Sequence, residues 1–254
     1  MDKTGEKNMG KRILIAAPVR QKPEIFKEYL NSLNHLIIPE EYEADKFFYL
    51  HNCPELSEFL QENEYQIVYD DSEIIKENNK QKQWTYKNFY ALYQMRTALL
   101  RKASQEKYDY LFTVDSDILL HPKTLITLLN DDKDIVGNMI WTKMENNNIG
   151  AICGKNEEWG AYENLEQFKI PGIYPVGWTC ACLLISSRIF NNSNVSYWPI
   201  RGIDNTGCED YAFCMRAKCN FYDLQVWIDT KLPARHLYHE KDFERWIKEK
   251  KQYE

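Results

Sequence analysis

Two aspartates two positions apart, Asp115 and Asp117 in the run FTVDSDILL, stand directly behind an apolar segment and just ahead of Pro122, near which a helix is expected to begin. A strand ending at Asp115 would turn both carboxylates toward the sheet edge at which α/β proteins hold their ligands. Two acidic oxygens there, with waters and a phosphate completing the shell, suit a hard divalent cation such as Mg2+ or Mn2+. A bare D-x-D is also an ordinary helix entry in which Asp caps and Ser turns, so the pattern gains weight only from its company. That company is GCEDYAF and KLPARHLYH. In the first, Glu209 and Asp210 open a helix, where the positive end of the helix dipole favours carboxylates and one of them can serve as a general base. In the second, His236 or His239 can offer a neutral imidazole as a third metal ligand after the last strand.

The elements that must position these groups follow from the hydropathy pattern. RILIAAPV (Arg12 to Val19) is a continuous apolar run, as a strand buried on both faces requires. Pro23 suits the first turn of a helix in which Ile25, Phe26, Tyr29, Leu30 and Leu33 recur on one face. DKFFYLHN (Asp45 to Asn52) and YQIVYD (Tyr65 to Asp70) read as further strands, with a short helical piece after Pro54. The polar run from Asp71 to Gln83 reads as an exposed loop long enough to be a lid. Phe89, Leu92, Tyr93, Arg96, Leu99, Leu100 and Ala103 share one helical face, and YLFTVD (Tyr110 to Asp115) is the fourth strand. These alternations predict a mainly parallel central sheet flanked by helices. From Lys133 the texture changes to strands and glycine-containing turns. DIVGNMIW, WTCACLLISS (Trp178 to Ser187) and FYDLQVWID (Phe221 to Asp229) read as strands, and CEDYAFCMRAKC (Cys208 to Cys219) as a short helix. A last helix carries Phe243, Trp246 and Ile247 at i, i+3 and i+4.

Composition narrows the function. The chain has 254 residues, 32 Lys plus Arg against 38 Asp plus Glu, and a formal charge of −6, which argues against a nucleic-acid binder held by a basic surface. Aromatic residues reach 14%, with 17 Tyr and 7 Trp, so stacking on a ring-shaped ligand by Trp84, Trp141, Trp159 or Trp178 is worth weighing against plain core packing. The longest early apolar run, ILIAAPV, falls far short of the roughly 20 residues a bilayer span needs. Seven cysteines without a C-x-x-C pair predict reduced thiols in a cytoplasmic protein. Cys180 and Cys182 alternate along an expected strand, and would point to opposite faces as small buried hydrophobes. The balanced charge of the last helix favours packing on the domain over peripheral contact with a membrane surface.

The order of ILIAAPVR, D-S-D, G-W-T-C-A-C-L-L-I, C-E-D and R-H resembles that of GT-A-fold glycosyltransferases, particularly the broad family 2-like bacterial enzymes, over Lys11 to His239. The resemblance implies one GT-A-like domain over residues 1–254, with a nucleotide-binding half at 11–132, an acceptor-side and catalytic half at 133–239, and a C-terminal helix at 240–254. It implies that Asp115 lies near the nucleotide ribose or the cation, and that Asp117 binds the cation bridging the donor diphosphate. His236 would be the C-terminal metal ligand, with His239 as the fallback. Asp210 would deprotonate the acceptor, with Glu209 beside it. Pro18 and Arg20 would grip the nucleotide, and Asn52 and Asp70 would end the second and third strands beside it. Apart from the resemblance, Gly177 lets backbone approach a donor sugar closely and Trp178 offers a stacking face. Many such enzymes carry an acidic residue after the second strand, where this chain has HNCP (His51 to Pro54). The activity implied is Mn2+- or Mg2+-dependent transfer from a nucleotide-diphosphate donor, a UDP-sugar, to a hydroxyl of a glycan or other acceptor, with inversion. The alternatives are a retaining enzyme of the same fold, a sugar-nucleotide or glycan-binding domain without transfer, and a nucleotidyltransferase. Against the latter, the turn after the first strand lacks a Gly-rich, basic phosphate cradle.

Overall fold

The computed structural model describes residues 10–72, 86–143, 149–151, 153–155, 162, 164–200 and 208–250. From residue 73 onward the polar segment read as a lid lies outside them, as do Trp84 and Trp159. The first half runs β1 (Lys11–Val19), α1 (Pro23–Asn34), β2 (Tyr42–His51), α2 (Pro54–Glu62), β3 (Gln66–Asp70), α3 (Tyr86–Gln105), β4 (Tyr110–Val114), β5 (Ile118–Leu119) and α4 (Thr124–Asn130). The second runs β6 (Ile135–Lys143), β7 (Ile149–Ala151), β8 (Cys153–Gly154), β9 (Ile173–Val176), β10 (Trp178–Thr179), β11 (Cys182–Ser186), α5 (Ser187–Phe190), α6 (Glu209–Asn220), β12 (Val226–His236) and α7 (Glu240–Lys250).

The central sheet has the order β3-β2-β1-β4-β11-β6-β12-β5, with β7 added to β6 and β9 to β12. Its first four strands are mutually parallel, whereas β11 runs against both neighbours, β4 and β6. The parallel character thus belongs to the N-terminal half, and the C-terminal half is mixed. Chain order carries β2 and β3 to one side of β1 and β4 to the other, so the carboxyl ends of β1 and β4 border a topological switch point, the crevice at which open α/β sheets bind ligands.

The apolar run of β1 has a direct packing cause. Ile13, Ile15, Ala17 and Val19 join the core on one face of the sheet with Phe26, Tyr29 and Phe48, while Leu14 and Ala16 join the core on the other with Leu99, Leu100 and Phe213. Pro23 stands in the first turn of α1, and all five predicted apolar positions of that helix are buried. The Tyr29 hydroxyl donates to the Val114 carbonyl at 3.0 Å, tying α1 to the end of β4.

Three sequence expectations need correction. The run Trp178 to Ser187 is two strands, because the chain breaks at Cys180 and Ala181, the latter in the left-handed region at φ 65°. The alternation argument for Cys180 and Cys182 therefore fails: Cys182 is buried and Cys180 only half-buried, although none of the seven cysteines is in a disulfide. The last strand starts at Val226 and continues past Asp229, through an irregularity before Ala234, to His236, which therefore ends a strand instead of following one. Between D-S-D and α4 lies the short β5, paired with β12 through Ile118 and His236. As expected, α7 packs on the domain: Phe243 and Trp246 rest on the core, and the Trp246 indole donates to Glu28 of α1 at 2.9 Å. Among the described residues no helix is long and apolar enough to cross a membrane.

Candidate active site

The D-S-D turn sits where β4 ends. The Asp115 amide donates to the carbonyl of Ala181 at 2.7 Å, and the Asp115 carbonyl accepts from the Ile118 amide at 3.0 Å, so the left-handed kink after β10 clasps the turn. The two aspartates take different partners, although each lies within reach of the other's charge. Asp117 is buried, and its carboxylate Oδ1 lies 3.6 Å from His236 Nε2. That approach follows from the β5–β12 pairing, reinforced by the Leu237 amide donating to the Asp117 carbonyl at 2.9 Å. The other ring nitrogen of His236, Nδ1, shares a 2.9 Å hydrogen bond with the Thr142 hydroxyl. In the tautomer whose Nδ1–H donates to Thr142, the Nε2 lone pair faces Asp117, as a ligand imidazole requires.

Asp115 bonds to Arg96. This arginine, in the middle of α3, has a side chain only 2% exposed. Its Nη2 donates to Asp115 Oδ1 at 2.6 Å and lies 3.8 Å from Asp210 Oδ2, while its Nε donates to Glu209 Oε1 at 3.2 Å. Glu209 and Asp210 are the first residues of α6, both buried. Arg96 Nη1 and Asp210 Oδ1 are buried with no hydrogen-bond partner among the described residues. Burial raises all three carboxyls above their ordinary range; Arg96 opposes the rise at each, and Asp210, crowded by Glu209 and Asp115, is raised well above it.

The residues expected beside a nucleotide lie at the ends of the first three strands. Asn52, at the left-handed φ of 52°, receives its place from its own amide, which donates to the Asp70 carbonyl at 2.9 Å, and from its side-chain amide, which donates to the Ser72 carbonyl at 2.6 Å. The Ser72 amide caps the Asp70 carboxylate at 2.9 Å and holds its pKa below the ordinary value. Pro18 is buried within β1, and Arg20 is exposed just beyond it, near enough to His51 to join burial in lowering that imidazole's pKa. Gly177 donates its amide to the Gly154 carbonyl at 2.8 Å. The Trp178 indole lies so close over Gly154 that a Cβ there would stand 2.0 Å from Nε1.

Beyond His236, between the ends of β6 and β12 and helix α7, lies a cavity of about 280 Å3 lined by Trp141, Thr142, Arg235, His236, Tyr238 and Arg245 among others. The His239 backbone amide donates to the Asp242 carboxylate at 2.9 Å at the start of α7.

The structure therefore brings Asp117 together with His236, and Asp115 together with Glu209 and Asp210. Among the described residues no three His, Cys, Asp or Glu side chains form a ready-made metal cluster. Asp117 and His236 nevertheless fit a divalent cation that draws its other ligands from a diphosphate and water: neighbouring ligand atoms on an octahedral Mg2+ at about 2.1 Å lie about 3.0 Å apart, close to the 3.6 Å found here. Sequence reasoning placed Arg96 on the helical face but gave it no role. Its signal was a charged residue in an otherwise apolar stripe, which a buried partner must explain.

Comparisons with known proteins give the family and the fold. Residues 11–238 match the family model described as glycosyltransferase family 25, N-terminal domain. Procollagen galactosyltransferases 1-A and 1-B of Xenopus laevis are 25% and 23% identical to the chain, over 89% and 86% of its length. The chain spans only 39% and 38% of those two curated relatives. Among solved structures, GalNAc-T7 with UDP, GalNAc and Mn2+ superposes with a TM-score of 0.58 at 12% identity, covering 93% of this chain and 45% of that one. TarS of S. aureus gives 0.52 at 13% identity, covering 92% and 38%. These likenesses establish the GT-A fold.

Proposed function

Since the chain belongs to glycosyltransferase family 25, through the N-terminal domain of that family, we propose that it transfers a sugar from a nucleotide-diphosphate donor to an acceptor hydroxyl in a cation-dependent, inverting reaction. The observation that carries this reading is a convergence at one sheet edge: Asp117 faces His236 at 3.6 Å, and one buried arginine joins the D-S-D turn to Asp210. The donor is a UDP-sugar, with galactose the first sugar to test because the Xenopus relatives are named galactosyltransferases. Their name also makes a protein-borne hydroxyl an acceptor to test beside a glycan.

In this mechanism Asp117 and His236 hold Mn2+ or Mg2+, which when bound offsets the negative charge growing on the departing diphosphate. Asn52, Asp70 and Arg20 border the nucleotide at the ends of β1 to β3, with Pro18 shaping the strand end. Gly177 and Trp178 line the donor sugar. The Glu209–Asp210 pair stands on the acceptor side. Asp210 Oδ1, uncommitted among the described residues, accepts the acceptor's proton as the new bond forms, a role that typically contributes about 10² to 10⁴-fold in rate.

The test is a panel of nucleotide sugars assayed for nucleotide release and thermal stabilisation, with and without Mn2+. Stabilisation and turnover with a UDP-sugar in the presence of the cation are expected. A response confined to guanosine or cytidine donors would overturn the choice of UDP, and no response to any donor would overturn the transfer reading.

A further inference from the structure

We propose that Arg96 is a positioning residue for the base: by hydrogen-bonding Asp115 of the donor-side D-S-D turn and Glu209 beside Asp210, its guanidinium sets where α6 presents Asp210. The inference rests on the glycosyl-transfer reading and adds to it a residue outside the sequence motifs. Arg96 reaches the site from α3, an element that carries none of the proposed ligands or bases. It contacts the turn after β4 on one side and the first residues of α6 on the other. Without it these two pieces, one proposed to serve the donor and one the acceptor, would meet as buried like charges.

Charge compensation alone would ask only for a cation. The contacts ask for a planar fork. Nε donates to Glu209 at 3.2 Å while Nη2 donates to Asp115 at 2.6 Å, so one rigid group ties the D-S-D turn to the first residue of α6, and Asp210, next in that helix, stands 3.8 Å from Nη2 as an ion pair. The plane is itself braced. The guanidinium carbon lies 5.7 Å from the ring centroid of Tyr197, which stacks at 4.5 Å on Phe213 of α6, the helix that presents Asp210. A lysine ammonium is a point charge on a flexible stem and cannot hold this arrangement. A misplacement near 1 Å is enough to cost about 10²-fold in rate.

The test compares Arg96→Lys with wild type on the full chain, using the donor to which wild type responds. The variant is expected to fold, to bind UDP in the presence of Mn2+, and to keep the donor KM within about threefold, while kcat falls about 10²-fold. In an Asp210→Asn background Arg96→Lys is expected to cost little further, because both changes disable one unit. Guanidinium ion at tens of millimolar should restore part of the turnover of Arg96→Ala, and methylammonium should not. Wild-type kcat in Arg96→Lys would overturn the proposal, as would a rise in donor KM with kcat unchanged, or full additivity with Asp210→Asn. If Arg96→Lys does not fold, Glu209→Gln replaces it, since it loosens one anchor of the fork at almost constant shape. The same fall in kcat at constant KM is expected there, and its absence refutes the role. Failure of wild type to turn over any nucleotide sugar would instead remove the transfer reading itself.

Discussion

Replacing Asp210 by asparagine should make the protein more stable and nearly inactive, a combination that a merely structural carboxylate would not give. The side chain is buried, and its Oδ2 stands 3.8 Å from Arg96 Nη2, an attraction of about 4 kcal/mol at an effective dielectric near 20. That attraction is outweighed: desolvation, with Glu209 and Asp115 sharing the same arginine, raises the Asp210 carboxyl well above its ordinary range. A carboxyl raised in the native state binds more protons there than in the unfolded chain. Stability from this group is therefore present at low pH and falls as pH climbs from about 4, the unfolded value, through the native one. Asparagine keeps an acceptor for Arg96 without the charge. At pH 7 its thermal midpoint should exceed that of wild type, each kcal/mol of relief being worth about 2–4 °C in a chain of this size, and the fall in midpoint with pH should flatten. Turnover should drop about 10² to 10⁴-fold, equivalent to about 3–5 kcal/mol of transition-state stabilisation. Scanning unfolding from pH 4 to 8 and nucleotide release from the active donor read both quantities. Turnover within threefold of wild type would refute the base assignment, and a lowered midpoint would refute the electrostatic account.

Four further substitutions test the site and the packing around it. Asp117→Asn and His236→Ala should each weaken Mn2+-dependent UDP binding by about 10- to 100-fold with the fold intact, read as loss of the thermal shift on adding nucleotide and cation together; an undiminished shift would remove the pair as cation ligands. Gly154→Ala places a Cβ 2.0 Å from Trp178 Nε1 and should cost about 1–3 kcal/mol in denaturant unfolding while raising the donor KM, so unchanged values would contradict the close packing. Lys231 bridges the buried carboxylates of Asp131 and Asp229 at 2.6 and 2.7 Å, and burial pushes Asp131 up to about 6. Lys231→Met should destabilise by about 2–3 kcal/mol, discounted for the partly exposed lysine, and by more at pH 8 than at pH 5, because below about 6 Asp131 takes up a proton and the repulsion eases. Equal losses at both pH values would exclude the shared-charge explanation.

Local chemistry was readable from the chain alone. The unbroken apolar run of β1, the single-faced helix after Pro23 and the acidic pair opening α6 all record burial or dipole effects that act within a few residues, and D-S-D, E-D and R-H stood out for the same reason. Tertiary packing decided the rest. It broke the run Trp178 to Ser187 at a left-handed alanine whose carbonyl meets the Asp115 amide, and it extended the last strand to His236 because β5 offers a pairing edge. Above all it gave Asp115 a partner in Arg96 and Asp117 one in His236. Arg96 and Glu209 are 113 positions apart, and hydropathy periodicity carries no term for a charge satisfied across that distance. An arginine in an apolar stripe announces that a buried partner exists. Only the packing of α3 and α6 against the sheet tells which carboxylates answer it.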